Sequence, residues 1–315
     1  MSDATERAGA DPGGPRGTGV LVIDKPIGPT SFDVVRQVRR VLGLRRVGHG
    51  GTLDPMASGV LPICVGEATK LAQFLLDADK EYEATLCFGA ETDTYDATGT
   101  VTDRRSAAGL TSGDVETALA AFRGAIQQVP PRFSALKLRG RPLYAYARAG
   151  EAVEIASRNV VIHQLDLTSW VDATAVVLRV RCSKGTYIRS LAYDLGRALG
   201  PGAHLTALRR TRSGPFRLDD AHPLADLAEA PLIGLSQALG HLPSLRADSE
   251  ATLHLEQGKR VARAALEPAA ASPHASVQGE RFQEPRFQIL RPDGSLLAVA
   301  EVRDDDTVRT LRVFH

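Results

Sequence analysis

The order of strand-like and helix-like segments limits the folds open to this chain more than any other feature of its sequence. Short apolar or alternating runs predict strands, and they recur at Gly19 to Ile23, Val60 to Val65, Tyr82 to Gly89, Ala175 to Cys182 and Leu205 to Arg212. Helical patterns lie between them without strict alternation, as at Ser112 to Phe122 and Thr186 to Leu199. This order predicts an α+β fold with a mixed, largely antiparallel central sheet flanked by helices.

Near Leu242 to Arg246 the mixed pattern of strands and helices gives way to strand-like runs around tight turns. This change divides the chain into two predicted domains, 17–243 and 244–315. The second has strand-like runs around tight turns, and this pattern predicts a small β-barrel. Residues 1–16 are small, polar and rich in Gly and Pro, so we expect a disordered N-terminal extension. Residues 267–284 are rich in Ala, Pro, Ser and Gln, and we expect a flexible excursion there.

Composition argues against several classes of protein. The chain has 315 residues, of which 43% are hydrophobic and 24% charged, as is typical of globular domains. No apolar run approaches the roughly 18 residues that a membrane span needs. The N-terminus lacks the apolar core of a signal peptide, so we expect a cytoplasmic protein. The three cysteines lack metal-ligand spacing, which argues against a disulfide framework and a cysteine-type zinc site.

The net charge of +1 conceals three basic stretches that contain no acidic residue. They lie between positions 37 and 48, between 117 and 150, and between 195 and 218. If the fold brings them together, they form an electrostatic footprint for a polyanion. The alternative is three separate solvated surfaces.

The segment from Gly48 to Gly59 is the most distinctive candidate for a functional loop. Its four glycines allow the backbone to approach a ligand closely. Pro55 disfavours helical angles at Asp54, so the Asp54 carboxylate would be held on a shaped loop between two regular elements. Taken alone, an Asp before Pro is more often a turn residue, and a single histidine such as His49 is more often structural. The loop matches neither a Walker A loop nor a dinucleotide-binding loop.

Two further segments carry candidate residues. Lys184 to Arg189 lies where a predicted strand gives way to a helix, a position at which sites are often built. Tyr82 opens a predicted strand after an acidic run. By itself Tyr82 is an ordinary half-buried strand residue.

Together these segments resemble the bacterial tRNA pseudouridine-55 synthase family. The motifs, in that family's order and spacing, are Asp24-Lys25-Pro26, Gly48 to Pro55, Tyr82, Lys184 to Arg189 and Leu208-Arg209-Arg210. The region of about 123–150 resembles the family's RNA-clasping insertion, which the guide-RNA-dependent relatives generally lack. The C-terminal region resembles the RNA-binding barrel called the PUA domain. Gly50 departs from the pattern, since the family usually has Thr or Ser there.

The resemblance implies a fold and an activity. It implies a catalytic pseudouridine-synthase domain over 17–243 and a PUA-like RNA-binding domain over 244–315. The implied reaction flips uridine-55 of the TΨC loop of tRNA out of its stack, breaks the N1–C1′ bond and rejoins C1′ to C5. No metal, cofactor or guide RNA is implied, and the expected partner is the T arm of tRNA. We expect a monomer, because the sequence shows no obvious large apolar patch, and an additional role in tRNA folding stays open.

The resemblance also assigns roles to residues. Asp54 is implied as the catalytic carboxylate, Arg189 as its partner and Tyr82 as the ring that stacks on the flipped base. A carboxylate can stabilise or capture the positive charge that bond cleavage builds on the sugar, and an aromatic face offsets lost base stacking. Attack on the sugar, attack on the base and abstraction of a sugar proton are all open as the role of Asp54. The implied substrate-binding residues are Lys25, His49, Tyr187 and Leu208.

The basic stretches are then predicted to flank the cleft, because RNA loops are recognised through their shape, splayed bases and phosphates. The predicted RNA backbone contacts are Arg39, Arg40, Arg45, Arg46, Arg132, Lys137, Arg139, Arg141 and Arg148.

Two other functions are alternatives. A non-catalytic RNA-binding module would keep this architecture without the chemistry, although the joint presence of Asp54, Tyr82 and Arg189 speaks against it. A glycoside hydrolase would use Asp54 with a second carboxylate about 5–10 Å away. The sequence offers many carboxylates, and no motif singles one out for that role.

Overall fold

The computed structural model describes residues 17–269 and 286–314. The predicted extension over 1–16 therefore lies outside the described residues, as does most of the predicted excursion over 267–284. Within the two described ranges, no helix is both long and apolar enough to cross a membrane.

The first half of the described chain mixes strands and short helices in an irregular order. Its elements are β1 (Gly19–Lys25), α1 (Ser31–Leu42), β2 (Val47–His49), β3 (Ala57–Val65), α2 (Ala72–Asp77), β4 (Lys80–Phe88), β5 (Ala90–Thr92), β6 (Val101–Arg104), α3 (Ser112–Ala120), β7 (Gly124–Gln128), β8 (Lys137–Leu138), β9 (Arg141–Pro142) and α4 (Leu143–Arg148). A 3₁₀ helix, Gly66–Leu71, directly precedes α2.

The second half begins with a long antiparallel hairpin and ends in a separate small sheet. Its elements are β10 (Arg158–Trp170), β11 (Ala175–Cys182), α5 (Ile188–Leu199), β12 (Ala203–Ser213), β13 (Phe216–Arg217), β14 (His222–Pro223), α6 (Leu235–Ala238), β15 (Ser244–Arg246), α7 (Ser249–Glu256), β16 (Glu267–Pro268), β17 (Phe287–Leu290), β18 (Leu296–Val302) and β19 (Val308–Val313).

The central sheet confirms the predicted fold class. Its strands follow the order β14-β1-β3-β12-β4-β11-β10-β7, with β2 beside β3 and β13 beside β12. Only the pairs β1–β14 and β3–β12 are parallel among the described strands of this sheet; the other pairs are antiparallel. The sheet is therefore mixed and largely antiparallel.

The two faces of this sheet pack against different partners, because side chains alternate along each strand. In β1, Leu21 and Ile23 join the cluster that includes α1, α3 and α5. Val20 and Val22 join the opposite cluster, which contains Phe74 and residues of the C-terminal sheet such as Val299. The C-terminal sheet therefore packs on the second face of the central sheet.

The C-terminal region is a five-stranded sheet in the order β16-β15-β17-β18-β19. The turn that contains Pro292-Asp293-Gly294 joins the antiparallel strands β17 and β18. Ala262 forms an isolated antiparallel bridge with Thr307, which brings the segment before β16 toward β19. The described residues thus form a sheet domain consistent with a PUA-like fold, without a continuous ladder that closes a barrel.

Several element boundaries differ from the sequence-based expectation for local reasons. The helical stretch after β3 is a 3₁₀ helix followed by α2, and no side chain caps its start at Val65. The predicted long loop from Gly48 to Gly59 is shorter, since β2 includes Gly48 and His49 and β3 begins at Ala57. The segment before Gly258 is helix α7, capped by Asp248, rather than a strand.

Candidate active site

Asp54 and Arg189, which the resemblance implies as partners, form an ion pair. Asp54 lies in the short loop between β2 and β3, and Arg189 is the second residue of α5. Arg189 Nε is 2.9 Å from Asp54 Oδ2, an ion pair whose angle lacks hydrogen-bond geometry. The Asp54 side chain is 36% exposed, whereas that of Arg189 is 5% exposed. The carboxylate is thus open to a substrate while its cationic partner is fixed inside the protein.

Three separate contacts fix the loop that carries Asp54. Ser31 Oγ accepts from Leu53 N at 2.8 Å and donates to Leu53 O at 3.1 Å. Gly28 N donates to Pro55 O at 2.8 Å. Because these bonds hold the residues on both sides of Asp54, the carboxylate has little freedom to move away from Arg189.

Arg210 of β12 also supports this loop. Its buried guanidinium donates to Val60 O at 2.7 Å, to Thr52 O at 3.2 Å and to Gly51 O at 3.3 Å. A Cβ at Gly59 would lie 2.2 Å from Arg210 O, so only glycine allows β3 to approach β12 here. Arg210 belongs to the motif Leu208-Arg209-Arg210, but that motif does not indicate this structural role.

Gly50, where the family usually has Thr or Ser, is accommodated by close packing. Its N donates to Pro62 O at 2.8 Å. A Cβ at this position would lie 3.0 Å from Leu75 side-chain atoms, so a larger residue would require Leu75 to shift.

Arg189 is itself held by backbone carbonyls and by a second carboxylate. It donates to Thr94 O and to Phe133 O, both at 3.0 Å. Its Nη1 lies 3.5 Å from Asp96 Oδ2, and the Asp96 side chain is 5% exposed. Asp96 was not a sequence candidate, because its turn between β5 and β6 carries no signal that it reaches α5.

Tyr82 lies beside this ion pair in the third position of β4. Its backbone is paired with Arg210 across β4 and β12. Burial raises the pKa of Tyr82 to about 12, so the phenol stays neutral at physiological pH. Leu208 is buried two residues before Arg210 in β12, opposite Ala84 of β4. The structure therefore places Tyr82 and Leu208 on neighbouring strands of the central sheet near Asp54.

Lys25 and His49 come from the ends of β1 and β2. Lys25 Nζ donates to Pro26 O at 2.8 Å and Pro29 O at 2.9 Å. Burial lowers the pKa of Lys25 to about 8, and the charge of Asp54 partly offsets this effect. Burial also lowers the pKa of His49 below its usual value. His49 Nδ1 is buried and has no hydrogen-bond partner among the described residues.

Tyr187 precedes α5 and is held by a residue that sequence reasoning missed. Gln128, at the end of β7, accepts from Tyr187 N at 2.8 Å and donates to Tyr187 O at 3.0 Å. The Arg158 guanidinium lies 5.1 Å from the centroid of the Tyr187 ring. Gln128 links the start of the insertion to the segment Lys184 to Arg189, and no local pattern could have shown this long-range clamp.

The basic residues predicted to contact RNA differ in how the protein uses them. Arg39 donates to Val47 O at 2.7 Å, and Arg46 pairs with Glu67. Arg141 pairs with Glu151 at 2.7 Å and stacks on Tyr146 at 4.4 Å from its centroid. The remaining predicted residues are exposed: Arg40, Arg45, Arg132, Lys137, Arg139 and Arg148. Lys137 and Arg139 lie in the short hairpin of β8 and β9, which follows β7 in the chain.

The arrangement suits a reaction in which one exposed carboxylate acts on the substrate. Asp96 also contacts Arg189, but it is buried and accepts from Thr94 Oγ1 and Thr98 N. It is therefore poorly placed to protonate a leaving group, as the second carboxylate of a hydrolase does. In the described parts of the chain, no group of three or more His, Cys, Asp and Glu side chains is arranged to hold a metal ion.

Comparisons with known proteins agree with this geometry. The chain matches the TruB family pseudouridylate synthase N-terminal domain over residues 39–188 and the tRNA pseudouridylate synthase B C-terminal domain over 189–241. The tRNA pseudouridine synthase B of Chromohalobacter salexigens is 50% identical over 255 residues, which cover 78% of this chain and 83% of that protein. The one from Burkholderia pseudomallei is 44% identical over 293 residues, which cover 91% and 93%.

A solved structure has a similar fold. The matched chain in the crystal structure of a Cbf5-Nop10-Gar1 complex superposes with a TM-score of 0.71 at 28% sequence identity, covering 95% of this chain and 85% of that chain. The motifs, the fold and the curated relatives lead to the same family. This chain belongs to the TruB family of pseudouridylate synthases, which are pseudouridine-forming isomerases.

Proposed function

We propose that this protein isomerises uridine-55 in the TΨC loop of tRNA to pseudouridine, with Asp54 as the catalytic carboxylate. The observation that carries the proposal is the exposed Asp54 carboxylate 2.9 Å from the buried Arg189 guanidinium, on a loop that Ser31, Gly28 and Arg210 hold in place. Relatives named tRNA pseudouridine synthase B, up to 50% identical, support tRNA as the substrate.

The chemistry is an intramolecular transfer. The N1–C1′ bond of uridine breaks, the uracil turns, and a C5–C1′ bond forms while C5 loses its proton and N1 gains one. Bond breaking develops positive charge on the sugar, and an adjacent carboxylate stabilises or captures that charge. Attack on the sugar, attack on the base and sugar deprotonation all use the ionised carboxylate. Arg189 supplies the fixed positive charge that favours this form inside a cleft.

The surrounding residues then hold the extruded nucleotide. Tyr82 stacks on the flipped base, which offsets about 1–3 kcal/mol of lost base stacking. Leu208 contacts the uracil, and Lys25 and Tyr187 line the pocket. His49, half-buried near the cleft, helps to keep the nucleotide outside its RNA stack.

The insertion and the exposed basic residues bind the RNA backbone. The proposed contacts come from Arg40 and Arg45 around the end of α1 and from Arg132, Lys137, Arg139 and Arg148 of the insertion, all of them exposed. Arg39, Arg46 and Arg141 contribute positive charge while they also hold protein contacts. The protein carries its own RNA-binding parts, so we propose a stand-alone, cytoplasmic, monomeric enzyme that needs no guide RNA. In this division of labour, residues 17–243 catalyse and residues 244–315 add RNA contacts.

Mapping of the modified nucleotide tests the substrate position. A tRNA transcript is incubated with the protein, treated with carbodiimide and read by primer extension, which stops one nucleotide before the pseudouridine adduct. We expect one new stop, which reports pseudouridine at position 55, and none in a transcript with cytidine at that position. A stop at another uridine, or several stops, would contradict the assignment of uridine-55.

A further inference from the structure

The segment that leads into α1 exposes two large apolar side chains next to the catalytic loop. Ile27 is 68% exposed and Phe32 is 54% exposed. Between them, Gly28 bonds to Pro55, and Ser31 bonds to both backbone polar groups of Leu53. The segment 27–32 therefore runs alongside residues 53–55 of the loop that carries Asp54, and both exposed apolar side chains belong to this segment.

Phe32 also begins a basic stripe along α1. The guanidinium groups of Arg36 and Arg39 lie 5.7 Å and 5.9 Å from the centroid of its ring. These residues follow Phe32 by four and seven positions, a spacing that places them on one helical face. Arg36 is 63% exposed and Arg40 is exposed beside it.

The charge of this helix suits a polyanion. Its only acidic residue is Asp33, which pairs with Arg36 and caps the helix start. Arg36, Arg39 and Arg40 therefore leave the helix surface with excess positive charge. Surfaces that bind single-stranded nucleic acid combine such positive charge with an aromatic face on which a base can stack. The same combination occurs here, within a few residues of the catalytic loop.

We propose that Ile27, Phe32, Arg36 and Arg40 form a stacking shelf for the RNA substrate. A nucleotide adjacent to the flipped uridine places its base on the Phe32 ring and its sugar against Ile27. The phosphates that follow run over Arg36 and Arg40. This inference rests on the proposed tRNA substrate, and it assigns RNA binding to Ile27 and Phe32, which belong to none of the motifs described above.

The test compares Phe32→Ala with Phe32→Trp, using the full-length protein and a tRNA transcript. Val171→Ala is the matched control, because Val171 is an apolar residue that is 61% exposed in the turn between β10 and β11. Dissociation constants are measured by filter binding, and kcat and KM by release of tritium from C5 of uridine. Thermal unfolding midpoints show whether each variant is folded.

We expect Phe32→Ala to raise Kd and KM by about tenfold, the order of one lost base–aromatic stack, with kcat unchanged. Phe32→Trp should retain tight binding, and its added tryptophan should lose fluorescence when RNA binds. Val171→Ala should match the unaltered protein in every measurement.

Unchanged RNA affinity in Phe32→Ala would overturn the shelf. So would sedimentation showing that the unaltered protein is a dimer that Phe32→Ala dissociates, since Phe32 would then cover a second copy of the chain. These results are separable from failure of the proposed reaction, because RNA affinity and tryptophan fluorescence are measured without turnover.

Discussion

Arg189 interacts with three segments that are far apart in the sequence. It faces Asp54 in the β2–β3 loop, donates to Thr94 and Phe133, and lies near Asp96. Its planar guanidinium reaches these groups at once, and a single ammonium has no comparable fork of donors. The position of the Asp54–Arg189 pair therefore depends on the shape of this side chain as well as on its charge.

Arg189→Lys should keep a positive charge near Asp54 and break most of these interactions. We expect kcat to fall roughly 100-fold, the cost of a misplaced catalytic group, with a smaller change in KM. Steady-state kinetics on a tRNA transcript measure both. Arg104→Lys, at an exposed arginine of β6 outside the three basic stretches, serves as the control. A kcat within about twofold of the unaltered protein would show that charge alone suffices.

Gln128→Ala should test the clamp on Tyr187. Removal of the side chain leaves the N–H of Tyr187 without its partner, whereas Tyr187 O still accepts from Leu191 N, so we expect a loss of about 1–3 kcal/mol in the free energy of unfolding. Urea denaturation measures this change. Gln127→Ala is the control. The Gln127 side chain is exposed, so its removal should change the free energy of unfolding little. Equal stability of the two variants would contradict the clamp.

Among individual residues, the sequence identified those that carry recognisable motifs and missed those that act through long-range interactions. Asp54 and Arg189, far apart along the chain, were paired through the resemblance, and the structure places them side by side. Asp96, Gln128 and the support from Arg210 could not be predicted, because each depends on an interaction between segments that only the tertiary fold brings together.

Element ends near the site are fixed by individual side chains. Thr30 and Asp33 form a capping box at the start of α1, and Gly43 ends the helix in a left-handed conformation. At the end of α2, Lys80 Nζ donates to Leu76 O and Ala78 O, both at 2.6 Å. The sequence showed no such cap, because Lys80 belongs to the next strand and approaches only when β4 turns back.

Lys80 should make the stability of the protein depend on pH. Burial lowers its pKa from 10.5 to about 8, so between these values the unfolded state binds more protons than the folded state. Below pH 8 the folded protein must hold Lys80 in its charged form, which burial disfavours. The free energy of unfolding should therefore rise as the pH increases from about 8 to 10.5. Lys80→Met removes this contribution.

Urea denaturation of both proteins at several pH values measures the effect. The difference between them isolates Lys80 from other groups, including Lys25, whose pKa is also lowered to about 8. We expect the unfolding free energy of the unaltered protein to rise relative to that of Lys80→Met as the pH increases from about 8 to 10.5. Parallel curves for the two proteins would contradict the assignment.

Across the described residues, the central sheet joins the loop that carries Asp54, the region 123–150 and the C-terminal sheet. β7 continues the sheet edge into the insertion, and Phe133 O ties the insertion to Arg189. Val299 and Phe314 of the C-terminal region pack with Phe74 on the opposite face. The sequence predicted the fold class and the two regions. It did not predict that α7 replaces a strand, since the apolar spacing there suits either element.

RNA binding should depend on salt through the hairpin of β8 and β9. Lys137→Ala combined with Arg139→Ala removes two exposed charges without disturbing Arg141, which pairs with Glu151. We expect weaker binding and a slope of log K against log salt that is smaller by about 1.4, or about 0.7 for each phosphate that is no longer neutralised. Filter binding at several salt concentrations measures both quantities.

The matched control combines Arg104→Ala with Arg179→Ala, two exposed arginines outside the three basic stretches. This variant should retain the slope of the unaltered protein. An equal reduction of the slope in both double variants would indicate that overall charge, and not the hairpin, determines the salt dependence.

The most direct test of the central claim is tritium release from tRNA labelled at C5 of uridine, comparing the unaltered protein with Asp54→Asn. The substitution keeps the size of the side chain and removes its charge. We predict release of one equivalent per tRNA by the unaltered protein and none above background by Asp54→Asn, although both bind the RNA. Equal release by the two proteins would show that another group performs the chemistry.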